Sequence, residues 1–230
     1  MDVLAPTDPP VRRPPPRHRV QRAKARARYD EASVHAILDA GMLAHVAFAA
    51  GGQPFVIPML YAREGNALLL HGSIASRLVG ALADGVPACA CVTHLDGLVL
   101  ARSHFNHSAN YRSVVVFGRA VPVDDIDEKA AALVRLVDAL VPGRAAESRA
   151  ANRKELAATR VLRLVIEDAS AKVRSGGAND DAADLALPHW AGVVPLSPLF
   201  GAAEPDTALA PEVALPGSVG ALQARAGTRP

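Results

Sequence analysis

Four stretches of this chain carry side chains whose types and spacing could do chemistry. The first is Leu70-His71-Gly72-Ser73-Ile74-Ala75-Ser76-Arg77. A strand-like run ends at His71, Gly72 turns the chain, and a helical pattern begins near Ser73. The first amides of a helix lack partners, and the helix dipole is positive there. Ser73 and Ser76 add hydroxyl donors, and Arg77 adds a planar fork that matches phosphate oxygens. This is an anion cradle, or else a capped helix whose Arg77 faces solvent.

The second stretch runs from Arg102 to Ser113. His104 and His107 have H-x-x-H spacing, but no Cys, Asp or Glu in the stretch completes a metal site. A solvated loop or a polar ligand rim fits better. The third is Ala169-Ser170-Ala171-Lys172-Val173-Arg174. Lys172 and Arg174 could meet a phosphate or an acidic substrate, or simply end an exposed strand. The fourth is the only tryptophan, Trp190, either a core plug or a surface for ring stacking. Cys89 and Cys91 are one residue apart, which is neither a disulfide geometry nor the C-x-x-C spacing. They read as small buried thiols in a reducing, cytoplasmic compartment. No P-loop, no dinucleotide fingerprint, no G-x-S-x-G and no H-E-x-x-H is present, which argues against four large enzyme classes.

The elements that must position these residues are mostly strands. Runs at Leu43 to Ala49, Pro54 to Ala62 and Ala67 to His71 are joined by Gly51-Gly52 and Glu64-Gly65-Asn66 turns. A helix is expected from Ser73 to Ala83, with Ser73 as its cap. Strands follow from Val86 to Thr93 and from Leu98 to Ser103, with Asp96-Gly97 as the turn between them. Tyr111 to Val123 and Thr159 to Glu167 complete the β-rich runs. Helices are expected at Tyr29 to Ala40 and from Asp125 to about Val141. Short antiparallel connections with few helices predict a mainly β (α+β) fold, a small barrel with flanking helices.

The chain has 230 residues and a formal charge of +2. Residues 1–28 hold eight basic residues against Asp2 and Asp8, so +6, and the remainder is −4. Residues 1–25 are too rich in Pro and Arg to bury a core and are expected to be a disordered arm. Residues 26–200 form the domain, and 201–230 are expected to be a loose tail. There is no run of about 18 apolar residues, which argues against a transmembrane helix. The acidic body and the lack of interleaved aromatics argue against nucleic acid as partner.

Several motifs together resemble the pyridoxamine 5′-phosphate oxidase-related, FMN-binding split-barrel family, in its nitroimidazole-reductase-like branch. They are His45-Val46-Ala47-Phe48, Gln53-Pro54-Phe55-Val56-Ile57-Pro58-Met59-Leu60-Tyr61, the His71 to Arg77 stretch, Leu95-Asp96-Gly97-Leu98-Val99-Leu100, Asn110-Tyr111-Arg112-Ser113, Ala169 to Arg174 and Trp190-Ala191-Gly192-Val193. The resemblance implies a six-stranded antiparallel split β-barrel, a homodimer, and FMN at the interface. It implies that Ser73, Ser76 and Arg77 meet the FMN phosphate. Pro58, Met59, Leu60, Val92 and Thr93 would lie along the flavin. Lys172, Arg174 and Trp190 would close the site, in part from the partner subunit. His71 would be the proton relay. The implied function is an FMN-dependent oxidoreductase that acts on a small molecule, with NAD(P)H bound only transiently. The rivals are a flavin carrier or sensor, and a haem-binding split barrel with His107 as axial ligand.

Overall fold

The computed structural model describes residues 16–224. Part of the expected arm and the last residues of the expected tail therefore lie outside the described residues. A short strand β1 (Ala27–Arg28) leads into helix α1 (Glu31–Asp39), where Asp30 caps the start by accepting from the Ser33 amide. Val34, Ile37 and Leu38 recur at helical spacing, and all three are buried. Strands β2 (Leu43–Ala50) and β3 (Gln53–Leu60) form a hairpin. Its turn residues Gly51 and Gly52 have φ of 56° and 79°, conformations that favour glycine. Then come β4 (Ala62–Glu64), β5 (Ala67–Ser73), α2 (Arg77–Ala83), β6 (Ala88–Leu100), β7 (Ser108–Gly118) and β8 (Ala120–Pro122). Helices α3 (Ile126–Leu140) and α4 (Arg153–Ala158) precede β9 (Thr159–Val165), β10 (Asp168–Arg174), β11 (Gly192–Pro195) and α5 (Gly217–Ala224).

The strands form two antiparallel sheets. The first has the order β1-β10-β7-β6-β2-β3, with β11 also paired to β6. The second has the order β4-β5-β9-β8. They enclose one core of Val46, Leu68, Leu70, Val92, Val114 and Leu162, all buried. The sheets stay separate, so the fold is a split barrel. Where β7 leaves the first sheet, a Cβ on Gly118 would sit 1.8 Å from the Val165 carbonyl oxygen. Helix α3 covers the outer face of the second sheet, placing Ala132 and Leu136 against Leu69, Val123 and Val161. Among the described residues no helix is long and apolar enough to cross a membrane.

The structure moves several expected boundaries. Helix α2 starts at Arg77, not Ser73, because β5 continues to Ser73 by pairing with Thr159 of β9. The cap is Ser76, which accepts from the Val79 amide. Asp96-Gly97 is not a turn but an irregularity inside the single long strand β6. A Cβ on Gly97 would sit 2.9 Å from the Val194 carbonyl oxygen of β11, and Asp96 is held by a bidentate Arg112. Lys172 and Arg174 lie on β10, which is paired on both sides, with β1 and with β7. In the segment 201–230, α5 docks through Ser218, which donates to Glu147.

Candidate functional site

Side chains alternate between the faces of a strand, and this sorts the expected flavin residues. In β3 the outward set is Val56, Pro58 and Leu60, all exposed, while Met59 turns toward the core. In β6 Val92 is only 1% exposed and faces the core, and its neighbour Thr93 is exposed on the outer face. Cross-strand register joins these positions into rows. One row runs Pro58, His45, Cys91, Val115, Ser170 across β3, β2, β6, β7 and β10. The next contains Thr93, Ser113 and Lys172. Leu60 pairs with Leu43, and both are exposed. The outer face of the first sheet is therefore apolar at its β3 edge and carries hydroxyls and the Lys172 ammonium toward β10.

The cradle lies at a different corner. Ser73 Oγ accepts from the Ala75 amide at 3.2 Å, and Ser76 Oγ accepts from the Val79 amide at 3.5 Å. Each hydroxyl keeps its own hydrogen to donate. By helix geometry the Arg77 and Leu78 amides have no partner within α2. The Arg77 guanidinium stands 5.1 Å above the Phe55 ring and joins no carboxylate among the described residues. These donors fit an anion such as a phosphate.

His71 is not on the side of β5 that faces the core. It pairs with Val161, which packs with Leu69, Ala132 and Leu136 under α3. Burial pushes its pKa below the ordinary imidazole value, and its buried Nδ1 has no hydrogen-bond partner.

Arg174 is nearly buried. Its guanidinium donates to Asn110 Oδ1 at 2.5 Å and to the Gly177 carbonyl at 3.0 Å, so it holds the loop after β10 in place. Trp190 is 66% exposed and is no core plug. It lines a cleft of about 290 Å³ with Leu100, Ala101, Arg102, His104, His107 and His189. Arg102 is anchored by Asp180, through the backbone amide at 2.8 Å and the guanidinium at 2.7 Å. His189 and Asp180 were not singled out from sequence, because only the fold brings them to β6.

The expected residues therefore do not meet within one chain. Arg77 lies over Phe55, which pairs with Phe48 and through it with Ala88 at one end of β6. The Trp190 cleft lies beside Leu100 at the other end. At about 3.3 Å per residue, the strand separates them by roughly 40 Å.

Fold and site together define a class: the chain belongs to the pyridoxamine 5′-phosphate oxidase family, whose family model matches residues 30–173. Two solved structures are similar over nearly the whole chain. The flavocytochrome Anf3 from Azotobacter vinelandii is 44% identical, with a TM-score of 0.84 over 90% of this chain and 96% of that one. The FAD and haem binding protein from Mycobacterium smegmatis is 40% identical, with a TM-score of 0.82 over 86% of this chain and 97% of that one. A 5-nitroimidazole antibiotic resistance protein from Bacteroides thetaiotaomicron shares the fold at 19% identity, with a TM-score of 0.55 over 64% of this chain and 86% of that one. A comparison with curated proteins gave no match.

Proposed function

We propose that this protein is a redox flavoprotein of the flavocytochrome type, a homodimer that holds a flavin and a haem. One observation carries the reading: two relatives at 44% and 40% identity, similar over nearly their full length, are described by flavin together with haem. FAD is favoured over the FMN expected from sequence, since the second relative is described by FAD.

The residues present fit a flavin. Ser73, Ser76 and Arg77 would hold a phosphate. Pro58, Leu60 and Thr93 offer a partly apolar outer face for the ring system, and Lys172 adds a cation at its β10 side. When bound, the flavin would supply two-electron chemistry and the haem one-electron chemistry. The protein's part is to orient these groups, exclude water and place charge. His71, whose neutral form burial favours, is the candidate proton relay.

Two features support the dimer. Val56, Pro58, Leu60, Leu43 and Leu95 leave an apolar band uncovered on the first sheet. The cradle and the Trp190 end are too far apart in one chain to share a ligand. A second copy facing this band would supply Lys172 or the exposed Trp190 to the first copy's cradle, while Arg174 stays committed to Asn110 and the loop after β10. No bound-dinucleotide motif is present, so NAD(P)H would act as a transient donor, and a small oxidised molecule would be the acceptor. The free Cys89 and Cys91 suit the reducing cytoplasm. Stopped-flow mixing with NADH and NADPH tests turnover. Reduction of the bound flavin supports an oxidoreductase, and no reduction by either supports a flavin carrier or sensor.

A further inference from the structure

Resting on the reading that this chain pairs with a second copy through the first sheet, we propose that residues 196–216 form an intersubunit clasp. Leu196, Leu199 and Phe200 lie on the other copy's apolar band. The acidic loop that follows meets the cations leading into that copy's β1.

Every residue from Val194 to Leu215 is exposed, and no helix or strand intervenes between Pro195 and α5. Yet both ends of this segment are tied to the fold. The Leu196 amide donates to the Asp96 carbonyl at 3.1 Å. Gln223 of α5 donates to the Gly201 carbonyl at 2.8 Å, so residues 202–216 form a loop with closed ends. Turns give that loop a shape, with the Leu209 amide donating to the Asp206 carbonyl and the Val213 amide to the Ala210 carbonyl. Structureless loops longer than about 12–15 residues are uncommon in a compact domain and are either functional or unfolded. Composition speaks against an unfolded one. Leu199, Phe200, Leu209, Val213 and Leu215 are large apolar residues, the kind that unfolded segments lack.

The segment continues the apolar band of the first sheet. Leu95 and Leu98 share the outer face, because their partners Tyr111 and Ala109 are two residues apart on β7. Leu98 pairs with Val194 of β11, both exposed, and Leu196 follows. The band alone offers about 400 Å² of exposed apolar side chain, half of the roughly 800 Å² that each partner buries in a stable interface. Leu98, Val194, Leu196, Leu199 and Phe200 add about the same again, so band and segment together reach that size.

Charge names the partner. From Ala191 to Ala224 there is no Lys or Arg, while Glu204, Asp206 and Glu212 stand in the loop. Arg19, Arg22 and Lys24, just before β1, are exposed and join no ion pair among the described residues. The complement that the clasp needs is an apolar strip and a cationic edge within one sheet, and this chain's own first sheet has both. Apolar side chains then anchor the contact, and opposite charges fix its register.

The test treats the full-length protein with a carbodiimide, which couples a carboxylate directly to a lysine amine. The chain has four lysines, Lys24, Lys129, Lys154 and Lys172. Light scattering gives the oligomeric state, and a denaturing gel separates joined chains from single ones. The expected result is a band of twice the chain mass in which Glu204, Asp206 or Glu212 is joined to Lys24 or to Lys172, which lies opposite Ala27 of β1. Lys24→Arg/Lys172→Arg keeps the charges and the dimer and loses those joined peptides. Leu199→Ser/Phe200→Ser, confined to exposed positions, raises the dimer dissociation constant about tenfold or more. A dimer whose loop is joined to nothing, only within one chain, or to Lys129 or Lys154 overturns the clasp and leaves the dimer reading standing. So does an unchanged dissociation constant in the Leu199→Ser/Phe200→Ser variant. A monomeric wild type overturns the dimer reading itself.

Discussion

The backbone N–H of Ala101 donates to Nδ1 of His107 across 2.9 Å, and this single bond fixes which nitrogen of the ring carries the proton. Ala101 directly follows β6 and is buried, so its amide is oriented by the sheet and not by the loop. A histidine held in this way reads its surroundings as a donor. Nitrogen-15 NMR of labelled protein at neutral pH is expected to show His107 protonated on Nε2. Protonation on Nδ1 alone would contradict the assignment.

Arg77→Ala is expected to weaken flavin binding about tenfold or more. A charge-assisted contact to phosphate is worth about 1.5–3 kcal/mol, and among the described residues no carboxylate pairs with Arg77. Arg77→Lys keeps the charge but loses the fork over Phe55, and it should recover part of the loss. Quenching of flavin fluorescence measures both. Equal affinity in the wild type and Arg77→Ala would remove the cradle from the account.

Leu60→Asp places a carboxylate in the apolar band beside Leu43. The expected outcome is a shift from dimer to monomer in light scattering, with loss of bound flavin. A flavin-loaded monomeric wild type would contradict the shared site.

Gly118→Ala should destabilise the fold by about 2 kcal/mol or more, since overpacking at a fixed contact typically costs 1–3 kcal/mol. The added Cβ would overlap the Val165 carbonyl, which is backbone and has little room to move. A wild-type midpoint in urea unfolding would show that the sheets can part there without strain.

His71 gives a pH dependence with a definite sign. Burial holds its folded-state pKa below the ordinary value of about 6.5, so below that pH the unfolded chain binds more protons. Its contribution to stability is complete above the ordinary value and falls away on acidification. Melting temperatures from about pH 7 to pH 5 should decline less steeply in His71→Leu than in the wild type. Identical slopes would show that burial does not lower the His71 pKa in the folded state.

Local signals in the sequence located most elements but not their ends. Gly51-Gly52 marked a hairpin because positive φ is a local demand. Ser73 and Ser76 could each cap α2, and only pairing with Thr159, 86 residues away, extended β5 and left the role to Ser76. Asp96-Gly97 has turn chemistry, yet the close approach of β11 and the Arg112 ion pair turn it into a kink within a strand. The site was legible in the same uneven way. Pro58, Leu60, Thr93 and Lys172 share one face, because strand alternation and register put them there. Met59 and Val92 were drawn in by adjacency, and alternation sends both to the core. Asp180 and His189 reach the cleft through a long segment with few periodic cues, so no sequence spacing points to them.

The most direct test of the central claim is the absorbance spectrum of the full-length protein as purified, with its cofactors extracted and identified. The account predicts flavin bands and a Soret band in the same sample, with FAD as the flavin. A colourless protein that takes up neither added FAD nor added hemin would contradict it.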